Sequence, residues 1–187
     1  MFAGIVLAGG EARRLGGVDK PMLEVGGRSL LEGVLAALGD ADVVGTVDTV
    51  VVGPPRDGIR AVRWTREDPP GGGPVAALAA GLALLPDATE IALLAGDLTG
   101  LTSSTVDRLR RARGAADGAL LVDAGRRQWL TGVWCAAALR AAVPAEPSGA
   151  ALRRTLGDLS IVEVPAAPGE AADVDTPEDL HRLRGTR

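Results

Sequence analysis

The chain has 187 residues, 47 % of them hydrophobic and 24 % charged, with a formal net charge of −4. That length supports one sizeable core, and the balance of apolar and charged residues excludes a disordered chain. The mild acid surplus argues against a nucleic-acid binder, whose footprint is basic. A single cysteine, Cys135, excludes an intrachain disulfide framework and fits a reducing cytosol. No basic segment leads into an apolar signal core, and the longest apolar stretch, 75–85, falls short of the ~20 residues needed to cross a bilayer. The expectation is one domain over 1–187, cytoplasmic, with no membrane and no nucleic-acid partner.

In chain order, apolar runs at 3–7, 49–53, 60–64, 90–95, 118–122 and 159–164 read as strands. Between them, stretches at 29–37, 75–85, 103–113, 135–142, 149–156 and 177–184 read as helices. Strand-type and helix-type segments alternate almost throughout, and the strand runs are nearly continuous in apolar residues. Both features point to βαβ units and a mostly parallel sheet covered on both faces. Thr102-Ser103-Ser104 offers hydroxyl caps to the third helix. Thr176-Pro177-Glu178-Asp179 sets a capping hydroxyl, a proline and first-turn acids at the start of the last. Residues 125–132, Gly-Arg-Arg-Gln-Trp-Leu-Thr-Gly, interrupt the pattern and are expected to form a loop or hairpin over the sheet's edge. Cys135, beside Trp134 and an alanine run, reads as a packed small residue. The one histidine, His181, sits in a charged stretch that does not suit a cysteine–histidine pair.

The first strand empties into Leu7-Ala8-Gly9-Gly10-Glu11-Ala12-Arg13-Arg14-Leu15-Gly16-Gly17-Val18-Asp19-Lys20-Pro21. Glycines let backbone N–H groups approach an anion, and Arg14 and Lys20 neutralise it, so the segment reads as a phosphate-binding loop. It is neither a Walker loop, since the chain has no Gly-Lys pair, nor a Gly-x-Gly-x-x-Gly dinucleotide fingerprint. Asp97 follows the apolar run 91–95, where the carboxyl end of the sheet should lie. One carboxylate beside a triphosphate suits Mg²⁺, which takes oxygen ligands from one or two carboxylates, phosphates and water. Asp173 and Asp175 would point the same way on an extended segment and could aim at one metal or one polar substrate. The residues by themselves reach a Mg²⁺-dependent triphosphate site and no further.

The ordered motifs Leu-Ala-Gly-Gly, Arg-Leu-Gly-Gly and Asp-Lys-Pro resemble the signature of nucleotidyltransferases, and most closely that of the MobA-like molybdenum cofactor guanylyltransferases. The resemblance runs from residue 3 to about residue 182. It implies a three-layer, Rossmann-like α/β fold with a mostly parallel central sheet. It also implies transfer of GMP from GTP to the terminal phosphate of a molybdopterin-type acceptor, with Mg²⁺ as cofactor and transient contact with cofactor-biosynthesis proteins. Carried over onto this chain, Leu7, Ala8, Gly9, Gly10 and Arg14 would hold the β- and γ-phosphates, and Lys20 would act around the α-phosphate and leaving group. Asp97 would hold the metal together with Asp175 or Asp173.

Further along, Gly73-Pro74-Val75-Ala76-Ala77 resembles the family's nucleoside-contacting stretch, and Asp68 stands where the family has an acid. Its carboxylate could accept from a guanine's N1–H and N2–H₂ or from a ribose hydroxyl. Gln128-Trp129-Leu130 takes the place of the family's acceptor-side loop with tryptophan for proline, and Trp129 serves equally well as a pterin platform or a core residue. Asp173-Val174-Asp175 replaces two amides of the family pattern by acids. Related readings with the same loop are a cytidylyltransferase on the same cofactor, a sugar-phosphate nucleotidyltransferase, and a non-catalytic nucleotide-binding module.

Overall fold

The computed structural model describes residues 1–9, 19–39 and 47–172. Its seven-stranded sheet has the order β5-β4-β1-β6-β8-β7-β9. These strands are β1 (Phe2–Leu7), β4 (Asp48–Val52), β5 (Arg63–Thr65), β6 (Glu90–Ala95), β7 (Gly118–Asp123), β8 (Arg126–Cys135) and β9 (Ile161–Pro165). A two-stranded ribbon, β2 (Glu24–Val25) with β3 (Arg28–Ser29), lies apart from it. The helices are α1 (Leu30–Gly39), α2 (Pro74–Ala83), α3 (Ser103–Arg113), α4 (Ala136–Ala142) and α5 (Leu152–Leu156).

Alternation along β1 divides the core. Phe2 and Val6 face one side with Leu31, Val34 and Leu38 of α1 and Val106 and Leu109 of α3. Ala3 and Ile5 face the other with Val75, Leu78 and Leu82 of α2, Leu139 of α4, and Leu152 and Leu156 of α5. The result is the expected three-layer α/β arrangement, helices on both faces of one sheet. Predicted elements recur with shifted ends: β5 begins three residues after the expected start at 60, and α5 begins at Leu152 rather than 149. The predicted helix at 177–184 lies outside the described residues.

The structure has the hairpin expected at 125–132 but corrects its place. This segment is most of β8, which pairs antiparallel with both β6 and β7 inside the sheet, not over its edge. Its polar first half forms a hairpin with the end of β7, with Asp123 opposite Arg126 and Val122 opposite Arg127. Only from Thr131 does it enter the sheet's buried centre between two neighbours. The ribbon Glu24–Ser29 was also not anticipated. Gly26 and Gly27, both at positive φ, make its turn.

Local caps fix two helix starts. The Ser29 hydroxyl and N–H both donate to Glu32 while the Glu32 N–H donates back to the Ser29 hydroxyl, a reciprocal cap on α1. At α3 the Thr102 hydroxyl accepts from the Thr105 N–H, as the hydroxyl run predicts.

A second tie secures the segment after β9. Glu170 is 6 % exposed and accepts from the Thr105 hydroxyl, from Arg108 Nη2 at 2.5 Å and from the Ala167 N–H at 2.7 Å. Burial pushes the Glu170 carboxyl up, but these hydrogen bonds outweigh it and hold the group below the ordinary glutamate value of 4.5. The stabilisation is therefore complete above that unfolded value and is lost as pH falls through the lower folded one. Glu170→Gln should flatten the part of the acid-unfolding curve that lies below about pH 4.5. Glu170→Ala, which removes the acceptor shared by Thr105, Arg108 and the Ala167 N–H, should cost about 1–3 kcal/mol in urea denaturation at neutral pH.

Candidate active site at the carboxyl edge of the sheet

Strand β1 lies between β4 and β6 and is parallel to both, so the chain winds outward from it in two directions. The crevice where that order reverses, at the carboxyl ends of β1 and β6, is where open α/β sheets take ligands. Main-chain bonds carry the strand turns together beyond the last paired residues. The Ala8 N–H donates to the Val52 carbonyl at 2.9 Å, the Gly96 N–H to the Leu7 carbonyl at 2.9 Å, and the Gly53 N–H to the Thr65 carbonyl at 2.8 Å.

The closeness of these turns explains two glycines. A Cβ at Gly53 would lie 2.7 Å from the Ala8 carbonyl oxygen, and one at Gly96 would lie 2.9 Å from the Ala8 Cβ. Neither turn could approach Ala8 with a side chain present. Gly9 is different, since a Cβ there would meet nothing nearer than 3.6 Å.

Of the residues singled out in the sequence, Leu7, Ala8, Gly9, Lys20, Asp68 and Asp97 are described. Gly10, Arg14, Asp173 and Asp175 lie outside the described residues. Leu7 ends β1, and Ala8 is buried between the two glycine turns. Asp97 follows β6 after Gly96, whose N–H is bonded to the Leu7 carbonyl, so it lies at the carboxyl edge one residue past that contact. Lys20 opens a short 3-10 turn, Lys20–Met22, that leads toward the ribbon. Asp19 just before it is held by Arg56, whose Nε and Nη2 donate to the two Asp19 oxygens at 2.7 Å each. The same Nη2 donates to the Ala8 carbonyl at 2.8 Å, which joins the Asp19–Lys20 turn to the end of β1.

The glycine-rich connection after β5 forms a further wall. Asp68 is exposed. Its neighbour Glu67 turns inward, accepting from the Gly71 N–H at 3.1 Å, with its other oxygen 3.9 Å from where a Gly9 Cβ would stand. Sequence reasoning passed over Glu67. The signal that could have marked it is its place two residues past the end of a strand that runs parallel to β4 and β1. Pro74 opens α2 directly after Gly73, and no side chain caps the first N–H groups of that helix. From across the edge, the Gly149 N–H donates to the Gly72 carbonyl at 2.8 Å and closes the segment before α5 onto this loop.

The tail segment reaches the site from the opposite direction. The Ala172 carbonyl accepts from both the N–H of Thr99, at 2.9 Å, and its hydroxyl, at 3.0 Å. Thr99 is two residues past Asp97, so the residue preceding Asp173 is fastened next to the Asp97 turn. Trp129 is half-buried against the α2-side core, with the Arg127 guanidinium 5.6 Å from its ring centroid. Among the described residues no three acids, histidines or cysteines converge as a ready-made metal cage. A single carboxylate that relies on substrate phosphates for its other oxygens would suit Mg²⁺, and Asp97 is a carboxylate residue at this edge. Among the described residues no helix is long and apolar enough to cross a membrane.

Residues 4–162 match the family model of the MobA-like NTP transferase domain. A curated relative, the molybdenum cofactor guanylyltransferase of Rhodopseudomonas palustris (strain BisB5), is 35 % identical over 192 aligned residues, covering 94 % of this chain and 89 % of that one. Among solved structures, the molybdopterin-guanine dinucleotide biosynthesis protein A of Archaeoglobus fulgidus superposes with a TM-score of 0.71 at 19 % identity, over 98 % of this chain and 97 % of that one. The 2-C-methyl-D-erythritol 4-phosphate cytidylyltransferase of Thermus thermophilus gives 0.72 at 20 % identity, over 98 % of each chain. The last two share the fold. With the family model spanning most of its length and a 35 % identical relative along nearly all of it, this chain belongs to the MobA-like NTP transferase family and is a nucleotidyltransferase.

Proposed function

We propose that this nucleotidyltransferase transfers GMP from GTP to the terminal phosphate of a molybdopterin-type acceptor and releases pyrophosphate. The observation that carries the reading is the meeting of Leu7–Gly9 and Asp97 at the switch point of the sheet, with the Asp19–Lys20 turn fastened to the same strand end. The names of relatives at about 35 % identity support guanylyl transfer and this acceptor.

The chemistry asks for little beyond position and charge. An oxygen of the acceptor phosphate attacks the α-phosphorus, the bond from that phosphorus to the bridging oxygen breaks, and pyrophosphate departs with the electron pair. The acceptor phosphate is an anion at neutral pH and needs no base to activate it, which suits a chain whose one histidine lies far from the phosphate loop in sequence. The Ala8 N–H is taken by Val52, so the N–H groups of Gly9 and Gly10, with Arg14, are assigned to the outer phosphates, and Lys20 balances the charge that grows on the leaving oxygen. Asp97 is the residue that would hold Mg²⁺, with Asp175 or Asp173 as a second carboxylate. The ion supplies charge neutralisation between the phosphates. Nucleoside choice falls to the 67–74 loop, with Asp68 the acid assigned to the base or ribose.

The acceptor assignment is tested by offering the four nucleoside triphosphates with Mg²⁺ and molybdopterin and measuring pyrophosphate. GTP should support release; preference for CTP would make the enzyme a cytidylyltransferase, and release that requires an added sugar phosphate in place of the pterin would move it to a sugar-phosphate acceptor. Lys20→Ala should lower turnover by about a hundredfold, while changing unfolding free energy by about 1 kcal/mol or less. Unchanged turnover would remove Lys20 from the mechanism. Asp97→Asn should raise the Mg²⁺ concentration required for half-maximal pyrophosphate release, and an unaltered Mg²⁺ dependence would reassign the metal to other residues.

A further inference from the structure

We propose that Arg56 is a positioning residue of this site, holding the lysine-bearing turn against the phosphate-loop strand. Arg56 comes from the Gly53-Pro54-Pro55 turn after β4, a segment to which neither the loop motif nor the nucleoside stretch assigns a role. Its side chain is only 7 % exposed although it carries a full charge. Four hydrogen bonds satisfy it: two to Asp19, one to the Ala8 carbonyl and one to the Pro54 carbonyl at 3.2 Å. The partners are the informative part. Ala8 and Asp19 stand on either side of the 9–18 stretch that carries the glycines and arginines, so one guanidinium pins both ends of that loop.

The pairing also explains the acid in Asp19-Lys20-Pro21. Arg56 gives Asp19 a cation of its own, gripping both of its oxygens at 2.7 Å. The planar fork that grips both carboxylate oxygens also fixes the direction of the Asp19 backbone, and hence of the next residue. Lysine keeps the charge but lacks the fork, so it cannot substitute for this geometry. The inference rests on the reading of the 7–20 segment as the triphosphate site.

The test uses the full chain with GTP, Mg²⁺ and molybdopterin, and compares Arg56→Lys, Asp19→Asn and the double variant. Turnover is read from pyrophosphate release, GTP affinity from calorimetry, and folding from the melting temperature. Each single change should lower kcat about tenfold to a hundredfold, the scale of a slightly misplaced catalytic group. GTP affinity should move by less than about threefold, because a term realised in the transition state leaves ground-state binding alone. The double variant should lose no more than the worse single one, since both break the same fork. Asp19 is half exposed, so Asp19→Asn should melt within about 4 °C of the parent and keeps the test independent of folding. Parental kcat in either single variant, losses that multiply in the double, or a loss confined to GTP affinity would overturn the proposal. Failure of the triphosphate reading shows separately, as no GTP binding or turnover by the unaltered chain, and takes this inference with it.

Discussion

The parallel pairing of β1 with a strand on each side is the constraint from which the site follows. Leu7, Val52 and Ala95 end their strands in register, so the three turns that leave the sheet there are delivered to one small area. Backbone bonds from Ala8 and Gly96 continue the ladder for one residue past the strands. A side chain on either neighbouring turn would push the turns apart, which is why the sequence has glycine at 53 and 96. Position of chemistry here is thus inherited from strand register, and the loops add groups to a place the sheet has already chosen.

Around that place, the chain is fastened by polar contacts between segments far apart in sequence. Arg56 joins two ends of the first loop, Gly149 holds the glycine-rich wall, and Thr99 holds the carbonyl of Ala172. Glu170 anchors the same tail to α3 through Thr105 and Arg108. Each connection trades loop entropy for a hydrogen bond, and those of Arg56 to Ala8 and of Glu170 are at least partly shielded, where such bonds weigh more than in water. The apolar layers stabilise the sheet; these ties decide where its connections run.

Much of this was legible in the sequence because the relevant signals are local. Continuous apolar runs such as Ile91 to Ala95 mark interior strands, the hydroxyl run before Val106 marks a helix start, and the ordered glycine and basic residues mark the first loop. What escaped depends on partners far along the chain. The first half of β8 is polar, and only its pairing with β7 makes a strand of Arg126 and Arg127. Glu67, Arg56 and Glu170 look like ordinary surface charges in sequence. Their acceptors and donors are at Gly71, at Ala8 and Asp19, and at Thr105 and Arg108, and for the last two nothing nearby in the chain foretells the meeting.

The two outer strands of the sheet have a consequence for self-association. On one side β5 offers only three residues, with Arg63 engaged by Asp48 across to β4. On the other, β9 ends in Pro165, which has no amide hydrogen to give, and carries Glu163 in an ion pair with Arg127. Short, charged and proline-ended margins give an incoming chain too few main-chain partners to lengthen the sheet. Among the described residues, each margin of the sheet is thus poorly matched to an added strand.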